Sequence, residues 1–261
     1  MFSSKNDKIE KVDKILTNEA FEELQVDFAD INLAIESGDH FEVHYHGPED
    51  KQPVVIQNEQ QLRLKQPETD RKNGKFWQKG LFKIEVVTSS DVGKVKITVP
   101  KDHQLREAYI GLASGDTRIQ DVNLDELEFS SASGDLKIDR LKVAKLSLSI
   151  VSGDAKLDQL KVDSGNADLT SGSFLLKNSQ ITKSLAVTTV SGDNLIENVE
   201  VDQCDLTTLS GDNTIFGGKA THAQIGKETN GSHRNTSFFL LNKIFTHIKG
   251  LGLLSWFTKY F

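Results

Sequence analysis

The sequence contains little cysteine and little proline, and it begins without an apolar run. Its single cysteine, Cys204, excludes an internal disulfide bond and any zinc or iron–sulfur site held by several thiolates. The first residues, MFSSKNDKIEKVDKILTNEAF, lack the apolar stretch of a secretory signal peptide, so we expect a cytoplasmic location. Proline does not occur beyond position 100, which favours long hydrogen-bonded strand ladders there, because proline cannot donate a backbone N–H. The four prolines are Pro48, Pro53, Pro67 and Pro100.

The chain is acidic: 38 aspartates and glutamates against 31 lysines and arginines give a formal charge of −7. This balance disfavours nucleic acid as a partner, because nucleic-acid-binding modules gain affinity by neutralising phosphates with clustered basic residues. The 261 residues, of which 37% are hydrophobic, are enough to bury a core as one or two domains.

A tripeptide repeat governs the second half of the chain. Ser-Gly-Asp begins at Ser114, Ser133, Ser152, Ser191 and Ser210. Ser171-Gly172-Ser173 takes the place of one further member. The start-to-start spacings are 19, 19, 19, 20 and 19 residues, which is too regular for chance and too short for a helix-pair repeat.

Aligning the repeats on this tripeptide reveals columns of apolar residues. Within each repeat the apolar positions lie two apart and then change phase, which is the pattern of strand, corner, strand. Each repeat of about 19 residues therefore predicts one coil, and the chain predicts an all-β fold, a single-stranded parallel β-helix or β-solenoid. The columns are Ile119, Ile138, Leu157, Leu176, Ile196 and Ile215; Leu124, Val143, Val162, Ile181, Val201 and Ala220; and Phe129, Leu148, Ala167, Val187, Leu206 and Ile225.

The tripeptide predicts a corner of each coil. Glycine permits a positive φ there, while serine and aspartate satisfy the exposed backbone through their short side chains. The aspartates would line up at coil spacing, either as solvated turn residues or as a ladder of calcium ligands; the glycine-rich nonapeptide of calcium-binding β-rolls is absent from the sequence. The predicted turn glycines are Gly38, Gly115, Gly134, Gly153, Gly172, Gly192 and Gly211, and the aspartates are Asp116, Asp135, Asp154, Asp193 and Asp212.

The region before this repeat is less regular. Ser37-Gly38-Asp39 carries the same tripeptide, so residues 21–39 predict a first coil of a solenoid that spans residues 21–232. Residues 40–97 leave the period and predict longer coils or hairpins that continue the stack. They contain Phe76 and Trp77, which either form an exposed recognition loop or pin the insertion onto the core.

An open solenoid end exposes strand edges and half of a core, so both ends require covers. Residues 4–17 place apolar side chains at helical spacing after Ser4, a suitable N-cap, and we therefore predict a cap helix within residues 1–20. The apolar residues of this helix are Ile9, Val12, Ile15 and Leu16.

The C-terminal tail, residues 233–261, is basic and aromatic. From Gly231 onward there is no Asp or Glu, so this part carries +4 and the preceding 230 residues carry −11 (−7 minus +4). Its amphipathic helical pattern predicts a cap on the last coil, an anchor in an anionic membrane surface or, with the apolar stretch that follows, a membrane span. The helical face is Leu241, Ile244, Phe245 and Ile248, and the cap or membrane contacts are Phe238, Phe239, Phe245, Trp256 and Phe257.

The Ser-Gly-Asp coils and the run Val95-Lys96-Ile97-Thr98-Val99-Pro100 resemble the bacterial putative-adhesin family of β-strand-repeat proteins, which is grouped under a domain of unknown function. The resemblance covers roughly residues 20–230, and the repeat spacing is its most specific part. It implies a parallel β-helix and a bacterial, preferentially Gram-positive source, and it supplies no catalytic or binding residue.

Three histidines are candidate ligands for a transition metal. His40, His44 and His46 share one face of a strand with Glu42. Imidazoles two residues apart on a strand can converge on a transition metal, but the solvent-facing side of an edge strand gives the same pattern. Cys204 falls in an apolar column and predicts a buried small hydrophobic residue.

The sequence thus favours a non-enzymatic binding or scaffold module without a cofactor, whose partner is an unknown protein or carbohydrate. It contains no nucleophile elbow, phosphate loop or zinc-protease histidine pair. Two alternatives stay open. One is a component of envelope-stress sensing that its tail anchors peripherally to the inner face of the membrane. The other is a carbohydrate-active or metal-dependent enzyme that uses the face from His40 to His46.

Overall fold

The computed structural model describes residues 10–67 and 92–227, and this part of the chain is almost entirely β-structure. It confirms the predicted β-solenoid with coils of about 19 residues. The chain divides into two compact units, Met1–Gly134 and Asp135–Phe261. Ser4, Ile9, Phe76, Trp77 and the C-terminal tail lie outside the described residues. Within those residues, no helix has the length and apolar content needed to cross a bilayer.

Unit 1 is built around its long second strand. Strand β2 pairs in parallel with β5 and β7 through its first half and with β6 and β8 through its second half. The elements are β1 (Lys11–Thr17), β2 (Glu23–Gly38), β3 (Glu42–Pro48), a short 3-10 helix (Glu49–Lys51), β4 (Val54–Gln57), β5 (Gln61–Lys65), β6 (Gly93–Pro100), β7 (Gln104–Ser114), β8 (Thr117–Gln120) and β9 (Asn123–Ser131).

Residues 21–39 do form a coil, but they do not form the first coil of the stack. Leu24 of β2 is paired with Leu62 of β5 and also with Ala108 of β7, so β2 has a neighbour on each edge. After β6 the chain therefore steps past β2 and continues as β7 on its other side. The apolar alternation of β2 specifies which face points inward and not which edge a neighbouring strand joins, so sequence order and spatial order can differ here.

The predicted N-terminal cap helix is wrong, because residues 11–17 form the strand β1. This strand pairs antiparallel with β3, which itself pairs antiparallel with β6. Ile15, which a cap helix would bury, is 56% exposed. A helix of this length is marginal by itself, whereas the free edge of β3 offers a complete row of hydrogen-bond partners. A second antiparallel strand, β4, pairs with β5, so strands rather than a helix finish this part of unit 1.

Unit 2 repeats one coil, a short strand followed by a long one. Each strand pairs in parallel with the corresponding strand of the next coil, so that Ile138, Leu157 and Leu176 stack directly. The register shifts by one residue in β15, after Ile181. The strands are β10 (Leu136–Asp139), β11 (Lys142–Ser152), β12 (Ala155–Asp158), β13 (Lys161–Ser171), β14 (Phe174–Lys177), β15 (Gln180–Ser191), β16 (Asn194–Ser210) and β17 (Asn213–Lys227). The predicted apolar columns are buried throughout, apart from their last members Ala220 and Ile225, which are half-buried.

Glycine is required at the Ser-Gly-Asp corner. Six of the predicted turn glycines have φ between 120° and 142°, whereas Gly38 ends β2 without a positive φ. At Gly172, a Cβ atom would overlap the carbonyl oxygen of Gly153 in the preceding coil. The glycine N–H donates instead to the next coil, as from Gly172 to the carbonyl of Ser191 at 3.0 Å. The corners can stack this closely only because no side chain separates them.

The coils from β8 to β17 have a second corner whose central residue has a left-handed backbone conformation, and in most of these coils this residue is not glycine. Five residues have φ between 47° and 56°, a region that side chains other than Asn and Asp disfavour. They recur at the coil spacing and are followed by Gly217, whose φ is 67°. The five are Asp121, Arg140, Gln159, Asn178 and Asn198.

Candidate functional site

Aspartate carboxylates join successive Ser-Gly-Asp corners of unit 2. Asp154 donates its backbone N–H to Oδ1 of Asp135 at 2.9 Å, and Ser173 donates its own to Oδ1 of Asp154 at 2.9 Å. Asp212 donates in the same way to Asp193 at 2.8 Å. Each of these carboxylates therefore accepts a hydrogen bond from the corner of the following coil, which is a structural role.

This hydrogen bonding changes the acidity of Asp154. The N–H of Ser173 has the largest influence and lowers the pKa of Asp154. Lys156, whose Nζ lies 3.2 Å from Oδ2, lowers this pKa further, whereas partial burial raises it. The carboxylate is thus stabilised in its charged form by groups of the chain itself. Both carboxylate oxygens of Asp154 have partners within the chain, which favours the role of a turn residue over that of a calcium ligand at this corner.

The histidines of β3 contact a neighbouring strand. Nε2 of His44 lies 2.6 Å from Oδ1 of Asp13 in β1, and Nδ1 of His46 lies 3.2 Å from Oδ2 of the same carboxylate. His40 pairs separately with Glu42, at 3.4 Å. Within the described part of the chain, no three His, Cys, Asp or Glu side chains are grouped so that they could hold a metal ion. The arrangement fastens the edge strand β1 to β3.

A polar cluster that the sequence pattern did not reveal closes the bend of β2 in unit 1. The buried Gln66 accepts the backbone N–H groups of Ala29 and Asp30 at 2.8 and 3.1 Å, and its Nε2 lies 2.5 Å from Oδ1 of Asp30. Lys51 lies 2.5 Å from the other carboxylate oxygen. Gln66 therefore satisfies the backbone at a bend that lacks the Ser-Gly-Asp tripeptide.

Tyr45 is fully buried near the Gln66 cluster and is chemically unreactive. Its hydroxyl donates to the carbonyl of Pro48 at 2.7 Å, and a Cβ atom at Gly93 would lie 2.9 Å from that hydroxyl. Burial, with smaller contributions from nearby carboxylates, raises the pKa of Tyr45 to about 12. The side chain is a neutral packing element at any ordinary pH.

Two buried asparagines form a ladder in the last coils of unit 2. Thr189 donates to Oδ1 of Asn194 at 2.6 Å, and Nδ2 of Asn194 donates to Oδ1 of Asn213 at 2.7 Å. Nδ2 of Asn213 then donates to the carbonyl of Gly226 at 3.0 Å. The same column holds Leu, Ala and Phe in the earlier coils of the unit, so the core becomes polar toward β17.

Cys204 is buried, which confirms the prediction of a small hydrophobic residue. Burial is the main cause that raises the pKa of its thiol to about 12, and Asp205 contributes further. The thiolate is the reactive form of cysteine, so this side chain is unreactive at neutral pH while the coil stays closed.

The interior of unit 2 contains a small cavity next to Gly165, where the inward column lacks a side chain. Leu146, Leu185 and Phe174 contribute to its lining. Its volume of about 10 Å³ is roughly that of one water probe, which is far too small for an organic ligand.

An apolar column on the outer surface of unit 2 is the strongest candidate for a functional site. Val151, Val190 and Leu209 directly precede the Ser-Gly corners and are 53%, 43% and 43% exposed. Thr170 occupies the same position in the intervening coil, so the four side chains are successive neighbours across the parallel strands. We call these four residues the corner column. The sequence contains a signal for the corner column, because its apolar residues recur at the repeat spacing at positions outside the columns of the core.

The family model Toastrack DUF4097 matches residues 21–237 of this chain. Among solved structures, a putative adhesin from Bacteroides fragilis is 14% identical and has a TM-score of 0.40, over 84% of this chain and 98% of that one. A putative lipid binding protein from Parabacteroides distasonis is 14% identical, with a TM-score of 0.46 over 84% and 95% of the two chains. A putative cell adhesion protein from Clostridium sporogenes is 13% identical, with a TM-score of 0.35 over 84% and 100%. No curated protein matches the chain.

Proposed function

Because this chain belongs to the Toastrack DUF4097 family, we propose that it is a non-enzymatic binding or scaffold module of bacteria whose partner is a protein. The observation that carries the proposal is the corner column. Scattered apolar side chains are normal on protein surfaces, whereas exposed apolar side chains that recur in one column, interrupted here by Thr170, favour contact with another macromolecule.

The surroundings of the corner column support a protein partner. On the same outer face, two residues earlier along each strand, lies a second column with hydrogen-bonding side chains. An apolar centre bordered by polar groups is the usual composition of a protein–protein interface. Successive coils lie ~4.8 Å apart, so the two columns present a flat and regular surface. The members of the polar column are Ser149, Asp168, Thr188 and Thr207.

Site-specific photocrosslinking in the cells that produce the protein tests this proposal. A photoreactive residue at position 190 or 209 is expected to yield the same discrete crosslinked protein, because both positions belong to the corner column. Position 161 is the matched control, since Lys161 is also exposed and lies on β13 away from the column. Crosslinking that is absent at all three positions, or that is equally strong at position 161, would contradict the proposal.

A further inference from the structure

The last coil of unit 2 leaves the end of its core without a cover among the described residues. In β16, the inward-facing Val201, Cys204 and Leu206 are 6%, 4% and 0% exposed. Their register partners in β17 are half-buried or exposed, although they occupy the same inward columns. We call these partners the terminal hollow: Ala220, Ala223 and Ile225.

The terminal hollow is recessed and lies beside a free strand edge. Ala220 and Ala223 are smaller than their register partners Val201 and Cys204, so the side chains of the last coil fill less of the core than those of the coil before it. Strand β17 pairs with β16, and no described strand pairs with its other edge. Unpaired N–H and C=O groups beside exposed apolar side chains require a cover in a stable solenoid.

We propose that residues 238–248 of the same chain cover the terminal hollow, with Leu241, Ile244 and Phe245 packed against it. Strand β17 ends at Lys227, so residues 228–237 link the two parts. Such a linker reaches roughly 35 Å when extended, which is ample for a surface that begins within the last strand. Attachment to β17 also gives the segment an effective concentration on the order of millimolar.

The charge of the last strand favours this occupant over a second copy of the chain. Strand β17, which bounds the hollow, contains Lys219 and Lys227 and no acidic residue. End-to-end contact between two copies would therefore bring two positively charged strands together. Residues 238–248 contain Lys243 as their only charged side chain among Lys, Arg, Asp and Glu, so they bring less positive charge to the hollow than a second β17 would.

The single cysteine supplies a probe for the cover, because Cys204 is the register partner of Ala223. In the full chain, the rate at which Cys204 reacts with dithiobis(nitrobenzoate) reports how often the last coil opens. The variant I244D/F245D places two charges on the proposed packing face. We expect it to accelerate the reaction by about tenfold, since local opening limits the access of reagent to a buried thiol.

The control variant N242D/T246D adds the same two charges on the opposite face of the predicted helix and should react at the wild-type rate. Amide hydrogen exchange is the second measurement: I244D/F245D should speed exchange in β17 and leave β11 and β13 unchanged, which also shows that unit 2 is folded. Equal Cys204 rates in all three proteins would overturn the proposal. A Cys204 reaction rate that falls as the protein concentration rises would assign the cover to a second copy of the chain. Equal Cys204 rates in all three proteins, together with flotation on phosphatidylglycerol vesicles, would assign the segment to a membrane surface. Either result would also overturn the proposal.

Discussion

The backbone N–H of Ser173 donates to Oδ1 of Asp154 at 2.9 Å and so joins two successive corners of unit 2. In unit 1, Asn32 accepts the N–H of Asp116 at 2.8 Å, which shows that a neutral amide oxygen fills the same role. The side chain at this position thus acts on the next coil much as a capping side chain acts on the first turn of a helix.

Replacement of Asp154 by alanine should lower the free energy of unfolding by about 1 kcal/mol, because the N–H of Ser173 loses its side-chain acceptor. Asp154→Asn keeps an acceptor oxygen and should cost less. The pKa of Asp154 is lowered in the folded protein, so the advantage of aspartate over asparagine is present at neutral pH and is lost as the pH falls through the folded pKa. Urea titrations of the three proteins at neutral and acidic pH measure both effects, and a pH-independent difference between Asp and Asn would refute the assigned cause.

Gly172→Ala should be one of the most damaging single substitutions in unit 2. Its φ of 133° disfavours any side chain, and the added Cβ would overlap the carbonyl oxygen of Gly153. We expect a loss of at least about 3 kcal/mol, measured by urea or thermal unfolding. Gly111→Ala is the control, since its Cβ would lie 3.7 Å from the nearest atom, the carbonyl oxygen of Val26. Equal losses in the two variants would contradict the role assigned to the corner.

Gln159→Asn should stabilise the protein by several tenths of a kcal/mol to about 1 kcal/mol, because asparagine tolerates the left-handed backbone better than glutamine. The φ of Gln159 is 56°, and Asn178 already occupies the equivalent position in the next coil. Gln180→Asn, within strand β15, is the matched control and should give no gain, since asparagine is disfavoured in strands. The melting temperatures of both variants decide this prediction.

The part of the fold that can be predicted from the sequence is the part that follows the 19-residue repeat. Columns such as Ile138, Leu157 and Leu176 were recognisable because every coil repeats the same inward positions in register. The position of β2 between two coils was not recognisable, since its apolar pattern serves both edges equally. The helical spacing of apolar residues does not predict strand β1, because the conformation of residues 11–17 is decided by their pairing with the edge of β3.

Two features of the surface, the left-handed corner and the histidine contacts, could not be predicted from the sequence for other reasons. The left-handed corner is not evident from the sequence because Arg140 and Gln159 carry no sequence signal for a positive φ, although Asn178, Asn198 and Gly217 carry one at the same spacing. The pairing of both histidines with Asp13 depends on the register of two antiparallel strands, which no local pattern specifies.

Asn194→Leu should destabilise unit 2 although leucine suits the same column elsewhere, as Leu136 shows. The substitution leaves the hydroxyl of Thr189 and Oδ1 of Asn213 without their present partner, which should cost roughly 2–4 kcal/mol. The double variant N194L/N213L removes both amides and should lose less than the sum of the single variants. Strict additivity in urea unfolding would show that the two asparagines act independently.

Asp13→Ala should loosen β1 without unfolding unit 1. The carboxylate contacts both His44 and His46. The side chains of Asp13 and His46 are largely exposed and that of His44 is partly exposed, so the loss in global stability should stay under about 1 kcal/mol. The effect should therefore be local: amide exchange in residues 11–17 should become faster, while exchange in β2 stays at the wild-type rate. Lys14→Ala removes a neighbouring exposed side chain of the same strand and is expected to leave exchange unchanged. Because β1 is an edge strand that pairs with β3 alone among the described strands, its exchange rates report this contact directly, and unchanged rates in Asp13→Ala would show that backbone pairing suffices to hold it.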